Sequence, residues 1–345
     1  MTATTAQAPT RPTRPPHLAF TGLCWVTWRQ HRTALLAILA VFVFSALVLV
    51  YYGLSMHRDF TSLKLAACAQ VPGSEAGSVN RDGLSCANEL ADFHGDQNRV
   101  SQLMAAFLPL PAVFGLFIGA PLLAREYESG TFRFTFTQGA GRTRWLATKI
   151  SVLTAFTIAT ATAFTAVVMW WYAPLVPLDG RIGQTGIPEI YGAVFVARAV
   201  FALAVGILAG AALRRVVPAI GVSLVAWIAV VVLSITTLRA HLLTPLTAVD
   251  APQNPSGWIV SDVWKSPTGT VLNSSQVAED LYKASAAGHK FDGAQYLYQH
   301  GYVHTVVYQP ASRFWALQGI EAGGLVVLSA ALLLAALWLV RRRAA

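Results

Sequence analysis

The sequence contains little charge and little cysteine. Of its 345 residues only 12% are charged, whereas 55% are hydrophobic. Soluble globular domains carry about a quarter charged residues, so this composition excludes an ordinary soluble domain. Three cysteines are too few to frame a small secreted fold, and 17 prolines and 26 glycines are too few for a collagen-like or low-complexity chain. The composition therefore indicates a membrane protein.

The motifs that carry common enzyme chemistry are absent as well. The string closest to a phosphate-binding loop, Gly141-Arg142-Thr143, has Phe136 where the first glycine belongs and an arginine where the lysine belongs. The chain also lacks the H-E-x-x-H, G-x-S-x-G and C-x-x-C motifs and a dinucleotide fingerprint. We therefore expect no catalysis by this chain and no cofactor or metal bound to it.

Six apolar runs are long enough to cross a bilayer. A hydrocarbon core of about 30 Å needs about 20 mostly apolar residues in a helix. The runs are continuous, which excludes the short alternating segments of a transmembrane barrel. The sequence thus predicts an all-α membrane protein, a bundle of six transmembrane helices. The predicted spans are 33–54, 103–124, 147–173, 191–213, 217–238 and 314–340.

The distribution of basic residues predicts the orientation. If both termini are cytoplasmic, the cytoplasmic segments carry 14 Lys and Arg against two acidic residues, Glu126 and Glu128. This asymmetry predicts a plasma-membrane protein with both termini inside. Attraction of the basic flanks to the anionic leaflet also accounts for the net charge of +9, so we expect no nucleic-acid partner. The predicted cytoplasmic connections are 125–146, 214–216 and 341–345, and the predicted extracellular loops are 55–102, 174–190 and 239–313.

A basic and aromatic segment precedes the first span. Tryptophan and arginine at the edge of a span favour the headgroup region of the bilayer. The segment is either an amphipathic helix over 17–32 that lies in the interface or a simple aromatic anchor. Residues 1–16, which are rich in Thr and Pro, are predicted to be disordered. The anchoring residues of the segment are Trp25, Trp28, Arg29 and Arg32.

The first long extracellular loop contains two of the three cysteines. On the oxidising side of a membrane, Cys68 and Cys86 are expected to form a disulfide. Such a bond contributes about 3 kcal/mol in the chain-entropy model. Cys24, on the cytoplasmic side, is expected to stay reduced.

The last extracellular loop, 239–313, begins with several prolines and contains a helix-like stretch over 275–299. We expect a small external cap that is partly helical.

Histidines in this loop raise the question of a metal site. His300 and His304 are four residues apart and would share a helix face, with His289 nearby. Gly301 interrupts that helix, and neither a cysteine nor a carboxylate pair joins the histidines, which favours the absence of a metal.

Two charged residues lie inside predicted spans. Arg198 and Glu321 are each about seven residues from the outer end of their span, roughly 10 Å deep at 1.5 Å per residue. Charges in hydrocarbon are costly, so they need a partner or water. Arg198 and Glu321 are expected to pair or to line one outward-facing polar cavity. The alternative is that Arg198 extends outward to the interface and Glu321 hydrogen-bonds locally.

Glycine pairs four residues apart occur in three spans. Small residues at this spacing let two helices approach closely, which suits a compact bundle or a dimer interface. The pairs are Gly115 with Gly119, Gly206 with Gly210, and Gly319 with Gly323.

The connection between the second and third spans has a distinctive sequence. Arg125, Glu126 and Glu128 mark the membrane exit, and Ser129-Gly130-Thr131 breaks the helix. A short apolar segment and further basic residues then lead into Lys149. A charged hairpin at the inner surface is either a docking point for a cytoplasmic partner or an ordinary basic loop.

This connection resembles that of the permeases of type-2 ABC (ATP-binding cassette) exporters. The run from Arg125 to Thr131 is similar to their acidic exit followed by Ser-Gly-Thr, and Arg142 and Lys149 match the basic lead into the next span. The segments 25–32 and 308–315 look like those of actinobacterial members.

The resemblance implies a permease subunit that forms the substrate pathway. A separate ATPase subunit, present in two copies, would bind ATP and Mg, and a second permease copy or a paralogue would complete the transporter. The expected cargo is amphipathic or lipophilic: a drug, an antibiotic, a peptide or a lipid. The residues expected to couple to the ATPase are Arg125, Glu126, Glu128, Ser129, Gly130 and Thr131.

Two alternatives differ in class from an exporter. The chain would be a sensor, anchor or assembly protein if it transports nothing. An intramembrane enzyme is disfavoured because no catalytic constellation is present. A co-purifying ATPase distinguishes the exporter from both.

Overall fold

The fold is a helical bundle with a small sheet at one end. The computed structural model describes residues 16–62, 104, 106–130, 142–182, 187–249, 257–272, 274–286 and 293–343. Within these ranges six helices are long and apolar enough to cross a membrane, which confirms the predicted all-α fold with six spans. The six helices are α1 (Pro16–Ser62), α2 (Leu110–Glu128), α3 (Arg142–Tyr172), α6 (Ala193–Leu213), α7 (Val216–His241) and α10 (Phe314–Arg343).

The first helix is longer than predicted. We expected an interfacial helix over 17–32 and a separate span over 33–54, whereas α1 runs without interruption from Pro16 to Ser62. At 1.5 Å per residue, 47 residues measure about 70 Å, more than twice the thickness of the hydrocarbon core. No proline follows Pro16 in this stretch, so nothing in the sequence ends the helix between the two predicted segments.

The central helix of the bundle is α6, which packs against α2, α3, α7 and α10. Glycines form the tightest part of its contact with α2. A Cβ atom added at Gly206 would lie 2.4 Å from the carbonyl oxygen of Gly115, and one at Gly119 would lie 2.6 Å from that of Leu203. Two of the three glycine pairs therefore bring α2 and α6 together within one chain.

The third glycine pair has a different environment. A Cβ atom added at Gly319 or Gly323 of α10 would meet nothing within 4 Å among the described residues. Close packing inside the bundle therefore does not account for this pair.

Two short helices follow α3 and fold back onto the bundle. They are α4 (Val176–Asp179) and α5 (Ile187–Ile190), in the segment that we predicted to be an extracellular loop over 174–190. All four residues of α5 are buried, and Thr165 of α3 donates a hydrogen bond to the carbonyl oxygen of Ile190 at 2.9 Å. This connection is therefore part of the core.

The predicted external cap contains a four-stranded antiparallel sheet, which the sequence analysis missed. The strands are β1 (Leu246–Val249), β2 (Gly257–Lys265), β3 (Val271–Leu272) and β4 (Val303–Pro310), in the order β1-β4-β2-β3. The residues of β2 and β4 are rich in Val, Trp, Thr and Tyr, which favour strands. Within the predicted helix-like stretch over 275–299, the described residues form the helices α8 (Ser274–Ala286) and α9 (Gly293–Gln299).

The two ends of the bundle are named by what they carry. The sheet side is the end with the four strands. The elbow side is the opposite end, where α2 ends and α3 begins. The backbone N–H of Val216, at the start of α7, contacts Glu128 at the end of α2, so α6 ends and α7 begins on the elbow side.

Candidate functional site

The predicted coupling segment, Arg125 to Thr131, lies where α2 ends, and we call it the elbow. The helix ends at Glu128, and Gly130 has a φ of 68°, a left-handed conformation that suits glycine after a helix. Arg125, Glu128 and Ser129 are exposed, and Thr131 lies outside the described residues. The elbow is therefore a helix end whose charged residues reach the surface of the bundle.

Glu126 ties the elbow to α3. The Nζ atom of Lys149 donates a hydrogen bond to Oε1 of Glu126 at 2.6 Å. The side chain of Lys149 is only 1% exposed, and its Nζ atom also lies 4.1 Å from the ring centroid of Trp145. A buried ammonium group needs such partners, since its desolvation is costly. The contact with Glu126 fixes the end of α2 against the start of α3.

Glu128 ties the elbow to α7. The backbone N–H of Val216, the first residue of α7, donates to Oε1 of Glu128 at 2.9 Å. A carboxylate is favourable there because the first N–H groups of a helix lack partners and carry partial positive charge. The guanidinium of Arg214 lies 5.4 Å from the ring centroid of Tyr127. The elbow therefore contacts the turn between α6 and α7.

On the sheet side, Arg198 of α6 and Glu321 of α10 are in contact. The Nη2 atom of Arg198 lies 2.7 Å from Oε1 of Glu321. The side chain of Arg198 is 1% exposed and that of Glu321 is also buried. Of the three arrangements that the sequence left open, the structure has the ion pair.

Two residues that the sequence analysis did not select complete this buried charge network. Arg239 donates to Oε2 of Glu321 from Nε at 3.0 Å and from Nη2 at 2.9 Å, and its Nη1 atom forms an ion pair with Glu189. Arg239 lies one residue beyond the predicted fifth span, and Glu189 lies in the predicted loop over 174–190. The apolar neighbours Ile187 and Ile190 are the sequence feature that could have predicted the burial of Glu189.

A π-helical turn in α7 places two members of the network on one face. Ser234 and Arg239 are five residues apart, and the backbone N–H of Arg239 donates to the carbonyl oxygen of Ser234. Because π-helical bonding joins residues i and i+5, their side chains lie one above the other. Both reach Glu321, since Oγ of Ser234 donates to its Oε1 at 2.6 Å.

The buried charge network joins four helices. Its two arginines and two glutamates, Arg198, Arg239, Glu189 and Glu321, balance in charge when all are ionised. They come from α5, α6, α7 and α10. Gln318 of α10 adds two hydrogen bonds, accepting from the backbone N–H of Val194 at 3.0 Å and donating to the carbonyl oxygen of Pro188 at 2.7 Å. These ion pairs and hydrogen bonds hold the four helices together on the sheet side.

His300 and His304 each contact a group other than a shared metal site. The Nδ1 atom of His300 lies 2.8 Å from the carbonyl oxygen of Tyr296, whereas Nε2 of His304 lies 2.5 Å from Oδ1 of Asp262. The ring of His304 stacks on Trp264. His289 lies outside the described residues, among which no group of three or more His, Cys, Asp and Glu is placed to hold a metal ion.

The remaining predicted residues are at the start of α1 and in the first long loop. The four anchoring residues of α1, Trp25, Trp28, Arg29 and Arg32, are exposed. Cys24 is half-buried and has a free thiol. Cys68 and Cys86 lie outside the described residues, so their disulfide stays a prediction.

Comparison with known proteins identifies the family. A family model described as "ABC-2 membrane transporter related" matches residues 38–239, more than half of the 345-residue chain. No curated protein and no solved structure shows a significant match. The matched region starts in α1, contains the elbow and ends at Arg239. This chain is therefore a multi-pass membrane protein that belongs to the ABC-2 membrane transporter related family, and it is a permease of an ABC transporter.

Proposed function

We propose that this permease is an exporter subunit that forms the substrate pathway and is driven by a separate ATPase subunit. The elbow is the observation that carries the proposal. It presents charged residues at the end of the bundle opposite the sheet, and it is tied to two further helices through Glu126 and Glu128. A partner that displaces the elbow would therefore move α2, α3 and α7 together.

The helix α7 extends this coupling route across the membrane. The backbone N–H of its first residue, Val216, donates a hydrogen bond to the carboxylate of Glu128, and its far end carries Ser234 and Arg239 of the buried charge network. A shift imposed at the elbow thus has a continuous helix along which to reach the sheet side. This arrangement supports a mechanism in which nucleotide-driven movement of the ATPase changes access to the outer end of the pathway.

The complete transporter would contain further subunits. Two ATPase copies would bind ATP and Mg, and a second permease copy or a paralogue would form the other half of the pathway. The elbow side would face the cytoplasm, with both termini of the chain inside the plasma membrane. Cargo of amphipathic or lipophilic character, such as a drug, an antibiotic, a peptide or a lipid, suits a pathway walled by apolar helices.

Purification in mild detergent from the native host tests the partnership. We expect a stoichiometric ATPase to co-purify, identified by mass spectrometry and by ATPase activity of the complex. A monodisperse preparation without any ATPase would contradict the proposal and favour a sensor, anchor or assembly protein.

A charge exchange between Glu126 and Lys149 tests the coupling route. We expect E126K to lower the ATPase activity of the purified complex about tenfold, because two ammonium groups would meet in a buried contact. The double variant E126K/K149E restores the ion pair and should recover most of that activity.

A matched control separates coupling from folding. E279K reverses the same charge on α8, where Glu279 pairs with Lys283 on the exposed surface of the sheet side, and it should leave the activity unchanged. Size-exclusion profiles confirm that each variant is folded. If the double variant is no more active than E126K, the contact between Glu126 and Lys149 does not transmit the movement.

A further inference from the structure

Four side chains at the start of α1 form a basic-aromatic stripe. Trp25, Trp28, Arg29 and Arg32 follow one another at intervals of three, one and three residues, which places them on one face of the helix. Together they line a surface concavity of about 260 Å³. The guanidinium carbon of Arg29 lies 5.3 Å from the ring centroid of Trp25, a cation–π distance.

The two tryptophan rings of the stripe are largely uncovered. Trp25 is 59% exposed and Trp28 is 46% exposed. An indole ring has a large apolar surface and one N–H donor, so it is most stable where an apolar environment meets a polar one. The headgroup region of a bilayer is such an environment.

The stripe lies on the elbow side of the bundle. His57, near the other end of α1, stacks on Trp170 near the end of α3, with ring centroids 4.7 Å apart. The two helices therefore run in the same direction, and the start of α1 lies on the side where α3 begins. Leu35, one turn further along α1, is already a fully buried core residue. The stripe therefore directly precedes the long apolar part of α1, a position that favours the headgroup region of a bilayer.

The arginines of the stripe carry charge that the described residues do not neutralise. The only acidic residue of α1 is Asp59, at the opposite end of the helix. Among the described residues no carboxylate forms an ion pair with Arg29 or Arg32, and Glu126 of the elbow is paired with Lys149. Two guanidinium groups thus flank the concavity beside two indole rings.

We propose that the basic-aromatic stripe is a binding site for the phosphate group of an anionic phospholipid. Guanidinium groups match phosphate oxygens through paired, charge-assisted hydrogen bonds. The indole rings would lie at the boundary between the headgroup and the acyl chains of the same lipid. Free phosphate would contact the arginines but has no apolar part to cover the indole rings.

Tryptophan quenching by brominated lipids tests the site on the whole chain. The protein is reconstituted in phosphatidylcholine vesicles that contain a minor fraction of brominated phosphatidylglycerol or, in a parallel series, of brominated phosphatidylcholine. The chain has 10 tryptophans, and the variant W25F/W28F reports the fluorescence of the other eight. Subtracting its fluorescence from that of the unchanged protein isolates the contribution of Trp25 and Trp28. We expect brominated phosphatidylglycerol to quench this signal at a mole fraction on the order of tenfold lower than brominated phosphatidylcholine.

Two charge-matched variants decide whether the arginines of the stripe are responsible. R29Q/R32Q should abolish the preference for phosphatidylglycerol. R341Q/R342Q removes the same charge from the end of α10 on the same side of the membrane and should retain the preference. Both variants alter exposed side chains, so the fold is expected to persist.

Three results would overturn the proposal. Equal quenching by the two brominated lipids would mean that the stripe does not select anionic headgroups. A preference that persists in R29Q/R32Q would place the selectivity elsewhere. Loss of the preference upon addition of inorganic phosphate, at the lipid's own concentration, would identify a site for free phosphate. None of these measurements requires the ATPase, so they are independent of the proposed coupling.

Discussion

Replacement of Glu321 by alanine is expected to destabilise the permease more than any other single charge removal. Glu321 accepts hydrogen bonds from Arg198, Arg239 and Ser234, and the network of two arginines and two glutamates would be left with one uncompensated positive charge. Breaking a buried ion pair by removing one partner costs about 3–5 kcal/mol. Thermal unfolding in detergent, followed by tryptophan fluorescence, should show a midpoint lower by on the order of 10 °C.

An apolar replacement of both partners distinguishes charge pairing from packing. In R198M/E321M the remaining charges, Arg239 and Glu189, still form an ion pair. Each single variant leaves one buried charge without a partner, whereas the double variant leaves none. The double variant should therefore be more stable than either R198M or E321M alone. If the decreases in unfolding midpoint of R198M and E321M simply add in the double variant, Arg198 and Glu321 contribute to stability independently of each other.

A surface ion pair provides the control for Glu321. Glu279 and Lys283 of α8 are 2.8 Å apart, but both side chains are about two-thirds exposed. Exposed pairs contribute little to stability. E279A should leave the unfolding midpoint unchanged, whereas a shift as large as that of E321A would show that the assay reports general charge loss.

Replacement of Gly206 by leucine is expected to separate α2 from α6. Even the first added carbon would lie 2.4 Å from the carbonyl oxygen of Gly115 and 2.8 Å from the backbone nitrogen of Ala120. Backbone atoms of a helix cannot turn away as a flexible side chain does, so the two helices must move apart. The overpacking should cost about 3 kcal/mol or more, measured as loss of folded protein on size exclusion and as a lower unfolding midpoint.

Gly221 of α7 is the matched control for Gly206. It also lies within a spanning helix, but a Cβ atom added there would meet nothing within 4 Å among the described residues. G221L should therefore fold as well as the unchanged protein, and the better helix propensity of leucine favours the helix. If G221L and G206L are equally destabilised, close approach of α2 and α6 is not the reason.

Much of the fold follows from the sequence because lipid leaves the backbone few choices. Polar backbone groups in hydrocarbon must bond within the segment, so a continuous apolar run predicts a spanning helix with little reference to its neighbours. The elbow was also recognisable, since Arg125 to Gly130 combine charges with a helix-breaking glycine. The continuity of α1 was not recognisable, because the composition changes near residue 32 whereas the helix continues through this point.

The partners of the buried charges could not be predicted in the same way. Arg198 and Glu321 stand out in apolar runs, whereas Arg239 and Glu189 have the sequence context of loop residues. Their burial depends on α5 folding back against α3 and on the π-helical turn that aligns Ser234 with Arg239. Both are long-range arrangements that short windows of sequence do not contain.

The sequence by itself determined the membrane class, the number of spans, the position of the elbow and the two most unusual intramembrane charges. Each follows from local composition, since transfer from water to lipid is decided residue by residue. Only the tertiary structure decided which helices those charges join, which glycines pack against one another and how Glu126 and Glu128 tie the elbow to α3 and α7. These features depend on contacts between helices that are distant in the chain, and their energies exist only once the helices are packed.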